Sequence, residues 1–349
     1  MFLAIRELRH EKLRYVMLIV ITGLIAWMIF LLAGLANGLN TGMRQVVDQW
    51  RPEKIILSNA ANKNLSASHL SLSDLTEVKE ATNKTAVVQY SGALKLKQSK
   101  INVSFLGTPR DAFILPKLTA GRQVEHRNEI IVSQGLVQAG AKLNQLVKIG
   151  NNQHKLKIVG IYQTSTYGMA PTIYGDIQTV NATISPETSK NSINAIVTRG
   201  GTQTDGASFE TLSKMTFINN IPGYTAQNTT LSLMIDFLIV IAAAVIGIFM
   251  YVLTLQKKAM FGILKAQGVA SNVIIKSLIA QSLIIGVLGM LLGWMLLWVA
   301  TLFLPTAMPF AIDYVRFMEY SIAIIVAALL GGVVSFRTII GVDPVVAIQ

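Results

Sequence analysis

Few residues in this chain of 349 have a type and spacing suited to chemistry, and they do not form a catalytic pattern. The four histidines, His10, His69, His126 and His154, stand singly, without H-E-x-x-H or another short ligand spacing. No G-x-x-x-x-G-K-[ST] loop is present to cradle phosphate, and no G-x-S-x-G nucleophile elbow. Three features remain. Asp236 is a lone carboxylate in the apolar run 231–255, costly unless it is paired, faces a cavity or snorkels to the interface. The segment TSTYGMAPTIYGD, 164–176, sets Tyr167, Met169 and Tyr174 among Gly and Pro breakers, where a phenol either reaches a ligand or builds a turn. The stretch QKKAMFGILKAQGVASNVIIKS, 256–277, carries Lys257, Lys258, Lys265 and Lys276 without an acid, beside Phe261 and Leu264. An apolar knob ringed by lysines suits docking into a cleft of a partner protein; a plain basic loop is the other reading.

The elements that hold these residues follow from composition. The chain is 52% hydrophobic and 14% charged, against about 25% charged in ordinary soluble domains. Residues 15–36, 277–304 and 320–336 contain no charge, and 231–255 contain only Asp236. A lipid core of about 30 Å needs roughly 20 apolar helical residues, so four spans are expected. The first run is longer than a signal-peptide core and lacks a small-residue cleavage pattern at its end. Arg6, Arg9, Lys12, Arg14, the connector lysines and Arg337 place both termini and the connector in the cytoplasm.

The expected fold is an α-helical membrane protein with four transmembrane helices plus an inserted extracellular α+β domain. Residues 1–36 hold a cytoplasmic lead-in helix and the first span. Residues 37–230 form the extracellular domain with a membrane-proximal stalk. Residues 231–349 hold spans two to four and a cytoplasmic coupling hairpin at 256–276. The net charge of +12 lies on the outer domain and at membrane ends, which favours lipid headgroups over nucleic acid. Without cysteine, the exported domain must be held by its own core.

Within that domain, strands are expected at 53–58, 86–90, 93–97, 101–107, 154–165 and 194–200, and strand–helix–strand over 128–150. A helix fits 208–217, and Ser71 with Asp74 reads as a capping box. The order suggests two small lobes. In the connector, the second span is expected to run through QKKAMFGILKA unbroken. Gly268 then stops it and Ser271 caps the next helix, leaving Phe261, Leu264 and Lys265 at the tip. Small-residue spacings at Gly34/Gly38, Ala243/Gly247 and Gly289/Gly293 suit close helix packing.

The pattern KKAMFGILKAQGVA resembles the signature of the macrolide-exporter/FtsX-like family of ABC transporter permeases. AIRELRHEKLR (4–14), EIIVSQGLVQAGAKLNQLVKI with LKIVGIY, and the closing VDPVVAI (342–348) are similar to further family elements. The resemblance implies a non-enzymatic permease homodimer bound to two copies of a cytoplasmic ABC ATPase, which holds ATP and Mg and drives the permease by mechanotransmission. It implies ATPase contact through Phe261, Gly262, Ile263, Leu264, Lys265, Ala266 and Gly268; Gln267 stands where the family usually has leucine.

The first-span sequence FLLAGLANGL (30–39) and the chain length are similar to the haem-exporter branch. That branch implies haem as the extruded substrate, relieving haem toxicity, and no cofactor of the permease's own. Haem is a flat apolar macrocycle whose iron accepts Met or Tyr. The candidates to contact it are Trp27, Met28, Phe30, Tyr167, Met169, Tyr224, Met234 and Asp236, with Met28 or Tyr167 as candidate iron ligands. Packing against lipid or core is the alternative for Met28. Permeases for peptides, drugs or lipids, and FtsX-like regulators that move no cargo, carry the same pattern.

Overall fold

The computed structural model describes residues 12–96, 99–150, 155–184, 191–201, 203–204, 208–305 and 308–334. Arg6, Arg9, His10, His154, Arg337 and the closing VDPVVAI lie outside the described residues. The helices are α1 (Lys12–Trp50), α2 (Gln134–Gln138), α3 (Ile177–Ile184), α4 (Lys214–Asn219), α5 (Tyr224–Gln256), α6 (Lys258–Ala266), α7 (Ser271–Thr301) and α8 (Tyr314–Val334). The chain divides into two compact units, residues 1–38 with 228–349, and residues 39–227.

In the first unit α1, α5, α7 and α8 are each long and apolar enough to cross a membrane. Glycines allow their backbones to meet, as membrane helices without a hydrophobic drive between them require. A Cβ at Gly289 would come within 2.6 Å of Thr22 Cγ2, and one at Gly293 within 2.7 Å of Ala26 Cβ, so α7 lies directly on α1. Gly331 of α8 meets Ala243 and Gly247 of α5 in the same manner. Gly34 and Gly38 serve another purpose. They receive the non-helical Pro309 and Phe310. The Ala311 amide donates to the Gly34 carbonyl at 3.1 Å, and Asn37 Nδ2 donates to the Ala311 carbonyl at 3.1 Å.

The connector departs from the expected single helix. α5 ends at Gln256, Lys257 sits at φ −94° and ψ 5°, and α6 begins anew at Lys258. Gly268 does end α6, at φ +86°, where a Cβ is disfavoured. The Val269 amide bonds the Leu264 carbonyl and the Gly268 amide the Lys265 carbonyl, both at 3.0 Å, which is a Schellman closure. Ser271 does not cap α7. Ala270 occupies the cap position, without a side-chain bond, and Ser271 is the first helical residue.

The second unit is built on eleven strands joined in one hydrogen-bonded network. Its strands are β1 (Lys54–Ser58), β2 (Asn83–Lys95), β3 (Lys100–Gly107), β4 (Leu118–Gly121), β5 (Glu129–Ser133), β6 (Leu146–Ile149), β7 (Leu156–Tyr162), β8 (Thr166–Tyr167), β9 (Ala170–Gly175), β10 (Ala195–Arg199) and β11 (Phe209–Ser213). β2 merges the two strands expected at 86–90 and 93–97. Its first half pairs β10, and its second half pairs both β3 and β6. Pairings β3–β9, β9–β5, β5–β7 and β7–β6 complete a ring of six strands that begins and ends on β2. β5, the run EIIVS, is buried along its whole length, as a strand covered on both faces should be.

Residues 208–217 are not one helix. Phe209–Ser213 pairs antiparallel with β1, and Ser213 Oγ then accepts from the Thr216 amide at 3.1 Å to start α4. A long-range strand partner outweighs helix propensity here. The capping box at Ser71 and Asp74 is present, on a short 3-10 helix, Leu72–Glu77.

Glu129, at the start of β5, is 7% exposed. Its carboxylate accepts from Arg122 Nη1 at 2.8 Å and from the amides of Glu125 and His126 at 3.0 Å each, with Arg122 Nη2 on the other oxygen. The Arg122 hydrogen bond, helped by the two amides, lowers its pKa from an ordinary 4.5 to about 2, against the opposing effect of burial. A depressed folded pKa stabilises above the unfolded value and is lost as pH falls through the folded one. Glu129→Gln is therefore expected to cost about 1–2 kcal/mol at neutral pH, because the half-exposed Arg122 is partly screened. Thermal unfolding should show that deficit shrinking between pH 5 and pH 2.

Candidate functional site

The feature of the membrane unit best suited to a ligand is an apolar groove of about 390 Å³ between α1 and α5. Met28 and Leu32 face it from α1, Met234, Phe237 and Ile241 from α5, and Met308 from the segment after α7. Met28 and Met234 are 50% and 49% exposed, so both thioethers are open to what occupies the groove. The sequence-derived candidates Met28 and Met234 thus share one wall-to-wall site. Met308 was not foreseen, because it belongs to no helical pattern; the Gly34, Asn37 and Gly38 contacts to 309–311 bring it there.

The other membrane candidates are placed differently. Phe30 is fully buried, stacked on Phe317 at 5.7 Å and tilted against Trp294 at 5.2 Å. It packs the helix core and does not meet a ligand in the groove. Trp27 is partly buried beside that cluster. Asp236 is exposed on α5. It lies about 30 Å along the helix from Gln256.

Tyr167, Met169 and Tyr224 belong to the second unit. Tyr167 is 8% exposed, in a cluster with Trp50, Tyr162 and Tyr174. Burial pushes its phenol well above the ordinary range and keeps it protonated, so it is no accessible anionic ligand. Tyr224 is likewise buried in this core. Met169, at φ +69°, is a turn residue: its amide donates to the Gly42 carbonyl at 3.1 Å, and its sulfur packs on Gly42. Among the described residues, no group of three or more His, Cys, Asp or Glu could hold a metal ion.

In the connector, Phe261 and Gly262 point inward. Phe261 is 3% exposed, packed with Tyr15, Leu18, Leu253 and Ile274. The sequence read the amphipathic helix with its apolar ring outward, but Phe261 supplies the face that holds α6 down. The outward face carries Lys258, Met260, Ile263, Ala266, Gln267 and Gly268, with Leu264 and Lys265 half-buried between.

A family model described as FtsX-like permease C-terminal matches residues 232–344, the segment holding α5, the connector, α7 and α8. HrtB of Staphylococcus haemolyticus, named as a hemin transport system permease protein, is 28% identical over 351 residues, covering 100% of this chain and 99% of that one. Residues 232–344 thus carry an FtsX-like permease domain, and the chain is similar along its whole length to proteins named as ABC transporter permeases. The permease is also 26% identical to a protein of Mycobacterium tuberculosis named as an uncharacterized ABC transporter permease, over 99% of this chain and 98% of the other. The periplasmic region of MacB from Actinobacillus actinomycetemcomitans aligns with 50% of the permease and 95% of that chain, at 14% identity and a TM-score of 0.37.

Proposed function

We propose that the permease is the membrane subunit of an ATP-driven exporter whose cargo is haem, extruded to relieve its toxicity. The observation that carries this reading is the groove in which Met28 and Met234 meet on a wholly apolar wall. An apolar macrocycle fits such a surface, its iron takes a thioether ligand, and the volume lies in the usual range for small-molecule sites. The end-to-end similarity to a protein named for hemin transport supports the same cargo. A groove walled by α1 and α5 suits a substrate arriving sideways from lipid. Asp236, at the outer edge of the hydrocarbon, stays hydrated at that level.

The engine is a separate cytoplasmic ATPase, two copies on a permease homodimer, gripping the outward face of α6 through Met260 and Ile263 with Lys258 beside them. Exposed apolar side chains ringed by lysine, beyond the lipid, suit such docking. Both termini and the connector lie in the cytoplasm, and residues 39–227 outside.

Titration of the purified permease with hemin, followed by its Soret band, tests the cargo. Met28→Leu with Met234→Leu is expected to weaken binding about tenfold, roughly 1.4 kcal/mol. Tyr167→Phe should leave the titration unchanged, because its ring is packed away from solvent. Equal affinity in the double variant and the parent would remove haem from the groove and favour a regulator that moves no cargo.

A further inference from the structure

A buried polar cluster beneath the connector serves neither the groove nor the docking face. The helix from the second span stops at Gln256, yet residues 250–260 contain neither Gly nor Pro. Sharp breaks in helices ordinarily trace to those residues, to a bulge, or to a side chain inserted into the helix. At this break only Lys257 leaves helical geometry, its amide shared between the Leu253 and Thr254 carbonyls at 3.2 Å each.

The Lys257 side chain turns inward instead of reaching for water, and the residue is 8% exposed. Its Nζ donates to Tyr15 Oη at 3.2 Å and lies 5.4 Å from the centre of that ring. Tyr15, 1% exposed, donates its hydroxyl to Gln281 Oε1 at 2.8 Å. Gln281 Nε2 reaches Ser277 Oγ at 3.4 Å, and Gln281 too is 1% exposed. One chain of polar contacts therefore joins α1, the break and α7. Burying an ammonium is expensive unless its partners are held in place, so this arrangement tolerates little movement.

We propose that Lys257 is a positioning residue that sets the break between α5 and α6 and locks the connector to α1 and α7. The local sequence favours one continuous helix; the ammonium, drawn down to Tyr15, takes Lys257 out of it. The consequence for transport rests on the ATPase reading above: a push on α6 then reaches the first span without being lost in a loose joint.

The chain contains no cysteine, so two introduced thiols can be spin-labelled without background. Labels at Val16→Cys on α1 and Gln267→Cys after α6, both exposed positions, report the angle of the connector. With Lys257 present, pulsed dipolar spectroscopy of labelled chains diluted in unlabelled ones should give one narrow distance within the protomer. Lys257→Met keeps the stem and removes the charge; it should shift or broaden that distance by on the order of 5 Å, about one helical turn. Lys257→Arg should retain most of the narrow distribution. Tyr15→Phe, which keeps the ring and deletes the hydroxyl bridge, should move it in the same direction as Lys257→Met, and it carries the test if the latter does not fold.

Distributions identical to the parent in both Lys257→Met and Tyr15→Phe would overturn the proposal. The measurement needs no ATPase. Absence of an ATPase partner would leave the distance change standing, and an unchanged distance would leave ATPase docking untouched.

Discussion

Gly331→Val is expected to stop the membrane helices from assembling. A Cβ at Gly331 would lie 2.7 Å from the Ala243 carbonyl oxygen and 2.7 Å from the Gly247 amide nitrogen. Both are backbone atoms inside α5, which cannot swing aside as a flexible side chain would. Gly247 offers no relief, since its own Cβ would sit 3.3 Å from Gly331 Cα. Overpacking a well-filled core ordinarily costs about 1–3 kcal/mol, and a clash between two helix backbones belongs at or above the top of that range. In lipid no hydrophobic drive compensates for helices held apart. Detergent extracts of the variant should lack the monodisperse elution peak of the parent. Leu330→Val, at a neighbouring position that is 59% exposed, should elute normally. A well-folded Gly331→Val protein with parent-like thermal stability would show that α5 and α8 do not meet there.

The second large effect is expected in the other unit. Trp50 ends α1, is fully buried, and packs among Val46, Val47, Ile55 and Phe217. Its Nε1 donates to Tyr174 Oη at 2.7 Å, and its carbonyl accepts from Arg199. Trp50→Ala should cost about 3–5 kcal/mol, from lost transfer energy and the cavity left behind. It also strips the indole donor from the Tyr174 oxygen, which is buried. Burial raises the Tyr174 pKa and the Trp50 hydrogen bond opposes it, so without the indole the phenol is held still more firmly in its protonated form. Trp50→Phe keeps most of the ring and loses the N–H, so its cost should be nearer 1–2 kcal/mol. Limited proteolysis of the full-length protein should cut within 39–227 readily for the alanine variant and much more slowly for phenylalanine. Parent-like resistance in the alanine variant would refute the central packing role of this indole.

Both positions illustrate what a linear reading misses. The four spans were legible because lipid imposes a rule on every residue of a run: no charge for about 20 positions. Gly268 as a stop and Ser71 with Asp74 as a cap were legible because their partners lie within five residues. The break at Lys257 was not, because the partner its side chain meets there, Tyr15, is far away in sequence. Phe261 was read as an outward knob since amphipathicity gives two faces but not which one meets a neighbour. The two strands expected at 86–90 and 93–97 proved to be one, since β3, β6 and β10 together pair along it.

The candidate site divides along the same line. Met28 and Met234 were named from their helices, but only packing of α1 on α5 puts them in one groove and adds Met308. Phe30, Tyr167 and Tyr224 have the right chemistry for a ligand, and burial takes them away from it. By itself the sequence determined the membrane class, the four spans and the permease signature, since each is written in runs and short motifs. Tertiary structure alone decided which thioethers share a groove, which face of α6 is free and where the helix breaks. Those outcomes depend on side chains hundreds of residues apart competing for the same volume, and no local pattern records the winner.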